Sequence, residues 1–129
     1  MRAFRTGNVH AMHDCTEGGL LGAAYEMSLA SGLGFELWER KVPVADETRE
    51  MCARLSLDPL KLIGSGSLLI AVPPKRVESL RRALRGVAPV AEVGRFTRSG
   101  RRLVARDGAV RRIAAAPVDE LWGALSRSA

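Results

Sequence analysis

The chain is poor in the residues that build several common kinds of functional site. Its only cysteines are Cys15 and Cys52, which excludes a disulfide framework and suits a reducing compartment. Its only histidines are His10 and His13, and no second Cys or His cluster completes a four-ligand metal set. With residues 9–12 extended, the two imidazoles point to opposite faces, a poor geometry for chelation. Aromatic residues make up 5% of the chain and are not interleaved with its arginines, which argues against a stacking platform for single-stranded nucleic acid. No apolar run approaches the roughly 20 residues needed to span a bilayer. Residues 1–7 contain no apolar signal core, so the expected location is the cytoplasm and no membrane partner is expected.

What is present is the composition of an ordinary globular domain, 47% hydrophobic and 26% charged over 129 residues. One domain over 1–129 is large enough to bury a core without disulfides or a metal. The net charge of +6 is unevenly placed: residues 1–64 carry 7 basic and 9 acidic groups, residues 65–129 carry 13 and 5. Arginine outnumbers lysine 17 to 3. A basic second half attracts phosphorylated ligands or nucleic acid through its field, and a solvated surface is the plainer reading.

The apolar periodicity sets out alternating strands and helices. Residues 9–12 read as a short extended segment. Leu20, Ala23, Ala24, Met27 and Ala30 then recur at helical spacing and predict a helix over 17–31, with Thr16 as N-cap and Gly32 as stop. Residues 34–39 alternate apolar and charged, as a half-exposed strand does. A second helix is expected over 46–55 with Met51 and Leu55 inward, broken by Asp58-Pro59, and a short turn over 60–63. The run Leu68-Leu69-Ile70-Ala71-Val72 is the candidate central strand, ended by Pro73-Pro74. Residues 75–85 predict a basic amphipathic helix with Val77, Leu80 and Leu84 on its apolar side. A strand is expected over 88–96, then a hairpin of 102–106 with 109–113 about a type I′ turn at Asp107-Gly108. Pro117 opens a closing helix with Val118, Leu121, Trp122 and Leu125 inward. This order indicates a layered α/β or α+β sandwich with no interdomain linker.

Two segments carry candidate chemistry. In His13-Asp14-Cys15-Thr16-Glu17-Gly18-Gly19 an extended segment runs into two glycines and a helix, so a helix N-terminus with unpaired N–H donors is presented to an anion. Gly18 and Gly19 cost about 1 kcal/mol each in a helix interior, and the return would be close approach of a ligand to their amides. Thr16 offers a cap or a hydroxyl. Asp14, the candidate catalytic residue, could hold the loop, accept a substrate proton or contact Mg²⁺. Tight packing at a helix start is the alternative. Cys15 could be a nucleophile with its pKa lowered by the helix, or a small buried residue. Gly64-Ser65-Gly66-Ser67 could cradle phosphate or serve as a flexible connector, and it lacks the lysine and the strand-before-loop order of a P-loop. Lys75, Arg76, Arg81, Arg82 and Arg85 form either a solvated helix face or a surface for nucleic acid.

Taken together, three blocks resemble the C-terminal domain of the aminoimidazole ribonucleotide (AIR) synthase-related superfamily. They are residues 11–20, Ala30-Ser31-Gly32-Leu33-Gly34-Phe35, and Leu57-Asp58-Pro59-Leu60 leading into Gly64-Ser65-Gly66-Ser67-Leu68-Leu69. Their order and spacing are most similar to the hydrogenase-maturation carbamoyl dehydratase branch. The resemblance implies a three-layer α/β sandwich with ferredoxin-like character. It also implies that ATP and Mg²⁺ are bound mainly by an N-terminal domain or subunit that this sequence does not contain. Carried over, Asp14, Thr16, Gly18 and Gly19 lie at the cleft between domains, with Gly64, Ser65, Gly66 and Ser67 lining it.

One departure stands against the same carbamoyl chemistry and another bears on the anion site. The hydrogenase-maturation enzymes end in a cysteine that accepts the carbamoyl group, whereas this chain ends Ser126-Arg127-Ser128-Ala129. Glu17 also stands where that branch usually has arginine, which sets a negative charge beside an anion site. The expectation is therefore the substrate- or nucleotide-side domain of an ATP-dependent synthetase-like protein. It would bind a phosphorylated small molecule or nucleotide, be inactive by itself, and be a monomer or weak homodimer. The alternative is a non-catalytic module that holds nucleic acid or an acidic partner through the basic C-terminal half.

Overall fold

The computed structural model describes residues 9–127. Strand β1 (Ala11–Asp14) leads into helix α1 (Gly19–Ser31), then strand β2 (Gly34–Trp38), helix α2 (Asp46–Leu55) and strand β3 (Leu68–Ala71). Helix α3 (Val77–Leu84), strands β4 (Gly94–Thr97), β5 (Arg101–Val104) and β6 (Val110–Arg112), and helix α4 (Glu120–Arg127) complete the chain. The result is a mixed α/β fold. It has a four-stranded sheet in the order β4-β2-β5-β6 and a separate antiparallel pair of β1 with β3. Among the described residues no helix is long and apolar enough to cross a membrane.

The core lies between α1 and one face of the larger sheet, with the short turn Pro59–Lys61 closing its side. Leu21 and Ala24 of α1 meet Phe35 and Leu37 of β2, Leu103 of β5 and Leu60 of that turn, all nearly free of solvent contact. Burying six such side chains is the main source of stability, at roughly 1.5–3 kcal/mol for each large one. Gly32, in the left-handed region at φ 69, ends α1 as expected. Ser28, fully buried, then ties the turn to the sheet: its hydroxyl donates to the Leu33 carbonyl and accepts from Arg101 Nε at 2.7 Å.

Several sequence expectations change in the fold. Strand β2 is interior rather than half-exposed, flanked by β4 on one side and β5 on the other. Its alternation instead separates the core face from the outer face. The 68–72 run is not the central strand: β3 pairs only with β1, and Leu68 is exposed. Of this run, Leu69 packs against the main core from its side. Of the expected 88–96 strand only residues 94–96 join the sheet, in a strand that runs Gly94–Thr97. In α2 the buried residue is Cys52, whereas Met51 and Leu55 are exposed, because the helix rests on its Cys52 edge. The 101–112 hairpin forms, but not about a type I′ turn. Gly108 has φ 89 while Asp107 is not left-handed, and the loop closes through the Gly108 N–H to the Ala105 carbonyl. Finally, α4 starts at Glu120, and its predicted inward residues Val118, Leu121, Trp122 and Leu125 are all exposed.

Candidate functional site

Strand pairing brings the two candidate segments together. The register Asp14↔Leu68 sets the start of β3, and so the 64–67 loop, beside the loop that leads into α1. Backbone hydrogen bonds then clasp them. The Cys15 N–H donates to the Ser67 carbonyl at 3.0 Å, the Gly64 N–H to the Cys15 carbonyl at 2.7 Å, and the Ser67 N–H to the Gly64 carbonyl at 2.9 Å. Segments far apart in the sequence become one rim, because the β1–β3 register and these hydrogen bonds join them.

Gly18 and Gly19 both occupy the left-handed region, at φ 75 and 62. The N-cap of α1 is therefore Gly18 with no side-chain hydrogen bond, and Thr16 does not cap it. A left-handed entry turns the chain before the helix starts, and Thr16 contributes its carbonyl there rather than its hydroxyl. A Cβ on Gly19 would lie 2.5 Å from the Leu62 carbonyl oxygen and 2.6 Å from that of Leu60. A Cβ on Gly18 would lie 2.9 Å from the Pro117 carbonyl oxygen. The space that these glycines leave is filled by the protein's own backbone.

Their amides are engaged as well. The Gly19 N–H donates to the Thr16 carbonyl at 3.0 Å. The Gly18 N–H donates to Asp119 Oδ2 at 2.9 Å, across 101 residues of sequence. Asp119 is 5% exposed, and its other oxygen accepts the Leu121 N–H at 2.9 Å as the cap of α4. One carboxylate thus closes two helix starts, each carrying partial positive charge. Sequence reasoning missed this residue. An Asp just ahead of the α4 pattern is a legible N-cap signal, but its bond to Gly18 is not.

The exposed part of the rim consists of Asp14, Thr16 and Glu17 on one side and Ser65, Gly66 and Ser67 on the other, with Gly64 half-buried beneath. Gly66, at φ 93, has open space where a Cβ would be, and the clasp uses neither the Ser65 nor the Gly66 amide. A groove of about 450 Å³ lies beside α4, lined by Leu21, Lys61, Arg112 and residues 113–120 with Gly123. Its lysine is held between two carboxylates, 3.7 Å from Asp58 Oδ2 and 3.5 Å from Glu120 Oε1.

His13 is tied to Asp14 and to α1. Its Nδ1 lies 2.7 Å from the Asp14 carbonyl and its Nε2 lies 2.8 Å from Glu26 Oε2, an ion pair between β1 and α1. The bond to the Asp14 carbonyl, and after it the Glu26 carboxylate, hold the imidazole pKa above its ordinary value. Cys15 is 4% exposed, and burial followed by the Asp14 charge raises its thiol pKa. The helix does not activate it, and the buried-residue alternative describes it. Among the described residues no three His, Cys, Asp or Glu side chains converge on one point.

Comparison with known proteins agrees with the pattern of residues. The family model for AIR synthase related protein, C-terminal domain, matches residues 1–105. A carbamoyl dehydratase HypE of Azotobacter vinelandii is 38% identical over 77 residues, covering 60% of this chain and 23% of the relative. The crystal structure of Escherichia coli HypE, a hydrogenase maturation protein, superposes with a TM-score of 0.75 at 33% identity, covering 86% of this chain and 36% of the other. HypE in complex with ATP superposes with a TM-score of 0.73 at 26% identity, covering 85% and 37%. The chain spans about a quarter of the length of the curated relatives it matches.

Proposed function

The chain belongs to the family of AIR synthase related C-terminal domains, and from that premise we propose that it is the substrate- or nucleotide-side domain of an ATP-dependent protein of the hydrogenase-maturation type. It is an AIR synthase-like domain of the kind found in HypE proteins. The observation that carries the reading is the clasp: it turns two separate loops into one rim with Thr16, Ser65 and Ser67 exposed together.

In this reading the rim binds the phosphate of a small molecule or nucleotide. The Thr16, Ser65 and Ser67 hydroxyls and the Ser65 and Gly66 amides are the donors, because those of Gly18 and Gly19 are already satisfied inside the protein. Gly18 and Gly19 shape the loop rather than touch the ligand, and Asp14 orients or accepts a proton at the rim. ATP and Mg²⁺ are held by an N-terminal ATP-binding domain or subunit in the cytoplasm. This chain contributes positioning but not the metal-holding groups that phosphoryl transfer needs, so it does not hydrolyse ATP by itself. In isolation it is a monomer or weak dimer.

Titration of ¹⁵N-labelled protein with pyrophosphate and then with Mg·ATP tests this. The expected result is a saturable shift of the Ser65, Gly66, Ser67 and Thr16 amide signals, with little change at Gly18. Silence at all four rim amides with either ligand would overturn the phosphate reading.

A further inference from the structure

The outer face of the four-stranded sheet carries a transverse row of charge that no single strand reveals. In register, Arg95 of β4 stands opposite Glu36 of β2, Glu36 opposite Arg102 of β5, and Arg102 opposite Arg112 of β6. Paired residues share a sheet face, so these four lie in line opposite Phe35, Leu37 and Leu103, which point into the core. Arg95, Arg102 and Arg112 are exposed. Glu36 balances one of them, pairing with Arg95 at 3.1 Å. The next row on the same face is apolar: Trp38, Val104 and Val110, with Val110 62% exposed. Lys41 adds a fourth cation, its ammonium 4.4 Å from the Trp38 ring centroid.

This chemistry selects among polyanions. Trp38 is the only aromatic side chain in these two rows; its indole N–H is tied to Glu36 Oε1 at 3.0 Å and its ring is taken by Lys41, so bases have no platform to stack on. Arginines beside an exposed valine and a half-buried one are instead a mixture of the kind found at protein–protein contacts. Four strands at about 4.8 Å spacing make the row roughly 14 Å long. On a helix, carboxylates three and four residues apart sit about 5–6 Å from each other, and nine or ten residues cover about 14 Å.

We propose that this outer face docks an acidic amphipathic helix of another protein, its carboxylates set on Arg95, Arg102 and Arg112 and its apolar edge on Val104 and Val110. The surface is independent of the phosphate rim, which lies at the α1 N-terminus, so the two readings fail separately.

The test is fluorescence anisotropy with a labelled helical peptide that carries Glu at i and i+4 and leucine along one edge. A peptide of the same composition in scrambled order and a single-stranded oligothymidylate serve as the comparison probes. Saturable binding of the patterned peptide is expected, weakened about tenfold by Arg102→Glu with Arg112→Glu. Arg81→Glu with Arg82→Glu on α3 should change it less than about twofold. Arg102→Gln with Arg112→Gln, which removes charge without reversing it, guards against a misfolded variant and should weaken binding in the same direction. No binding, equal binding of the scrambled peptide, tighter binding of the oligothymidylate, or indifference to both sheet variants would each overturn the proposal.

Discussion

Helix α1 is apolar on nearly every side and helix α4 on one edge only, and the two meet opposite fates. In α1 the residues Leu21, Ala24 and Met27 are sealed against the sheet and the Pro59–Lys61 turn. In α4 the residues Leu121, Trp122 and Leu125 stay exposed, and the helix start is moored through Asp119. Periodicity states which face of a helix is apolar, but not whether anything covers it. What distinguishes the two is the backbone at their starts. Gly19 lets α1 come within contact of the Leu60 and Leu62 carbonyls, whereas α4 is tied by one carboxylate and the Lys61–Glu120 ion pair.

The sharpest way to break this contrast is Gly19→Ala. Its Cβ would strike two carbonyl oxygens at 2.5 and 2.6 Å from a left-handed backbone. We expect a loss of more than about 3 kcal/mol, read as a collapse of the urea midpoint or loss of folded protein. Leu21→Ala, at 1% exposure, should cost about 2–5 kcal/mol, while Leu125→Ala, at 55%, should stay within about 0.5 kcal/mol. Comparable thermal shifts for the two would mean that α4 is buried after all.

Asp119→Ala comes next, at about 2–3 kcal/mol, because it leaves the Gly18 and Leu121 amides without their acceptor. Asp119→Asn keeps one oxygen and should cost less. Hydrogen exchange should quicken at Gly18 and Leu121 together in the alanine variant; exchange that quickened at one alone would show that the mooring does not couple them.

The smallest effect is that of pH on His13. Its pKa is raised in the folded protein, so its contribution is fully present below the ordinary histidine value and is lost as pH rises through the folded value. Between about pH 6.5 and 8 the wild type should lose less than about 0.5 kcal/mol that Glu26→Gln does not, since Glu26 is 59% exposed. Thermal melts across that window measure it, and identical profiles for the two proteins would remove the His13–Glu26 pair from the stability of the fold.

The contrast between helices also marks how far the sequence could be read. Elements with a strong local signal were legible: α1 with its Gly32 stop, α2 after Pro43, and the hairpin around Gly108. The candidate site was half legible. Both loops stood out by their glycines, but the clasp between Cys15, Gly64 and Ser67 depends on the β1–β3 register, which joins residues far apart in the chain. The purpose of Gly18 and Gly19 was open, since the same absence of Cβ admits either a ligand or a neighbouring carbonyl. Leu68-Leu69-Ile70-Ala71 is as apolar as a central strand, and nothing in the residues themselves says that it pairs on one side only.

By itself the sequence determined composition, element types, the family pattern and the surplus of arginine in the second half, because these follow from residue identity and short-range periodicity. Tertiary structure alone decided that Asp119 meets Gly18, that two loops form one rim, and that Arg95, Arg102 and Arg112 stand in one row. Each of these depends on strand register or on a contact across many residues. Such contacts are selected by the summed burial and hydrogen bonding of the whole fold, which no local stretch of the chain encodes.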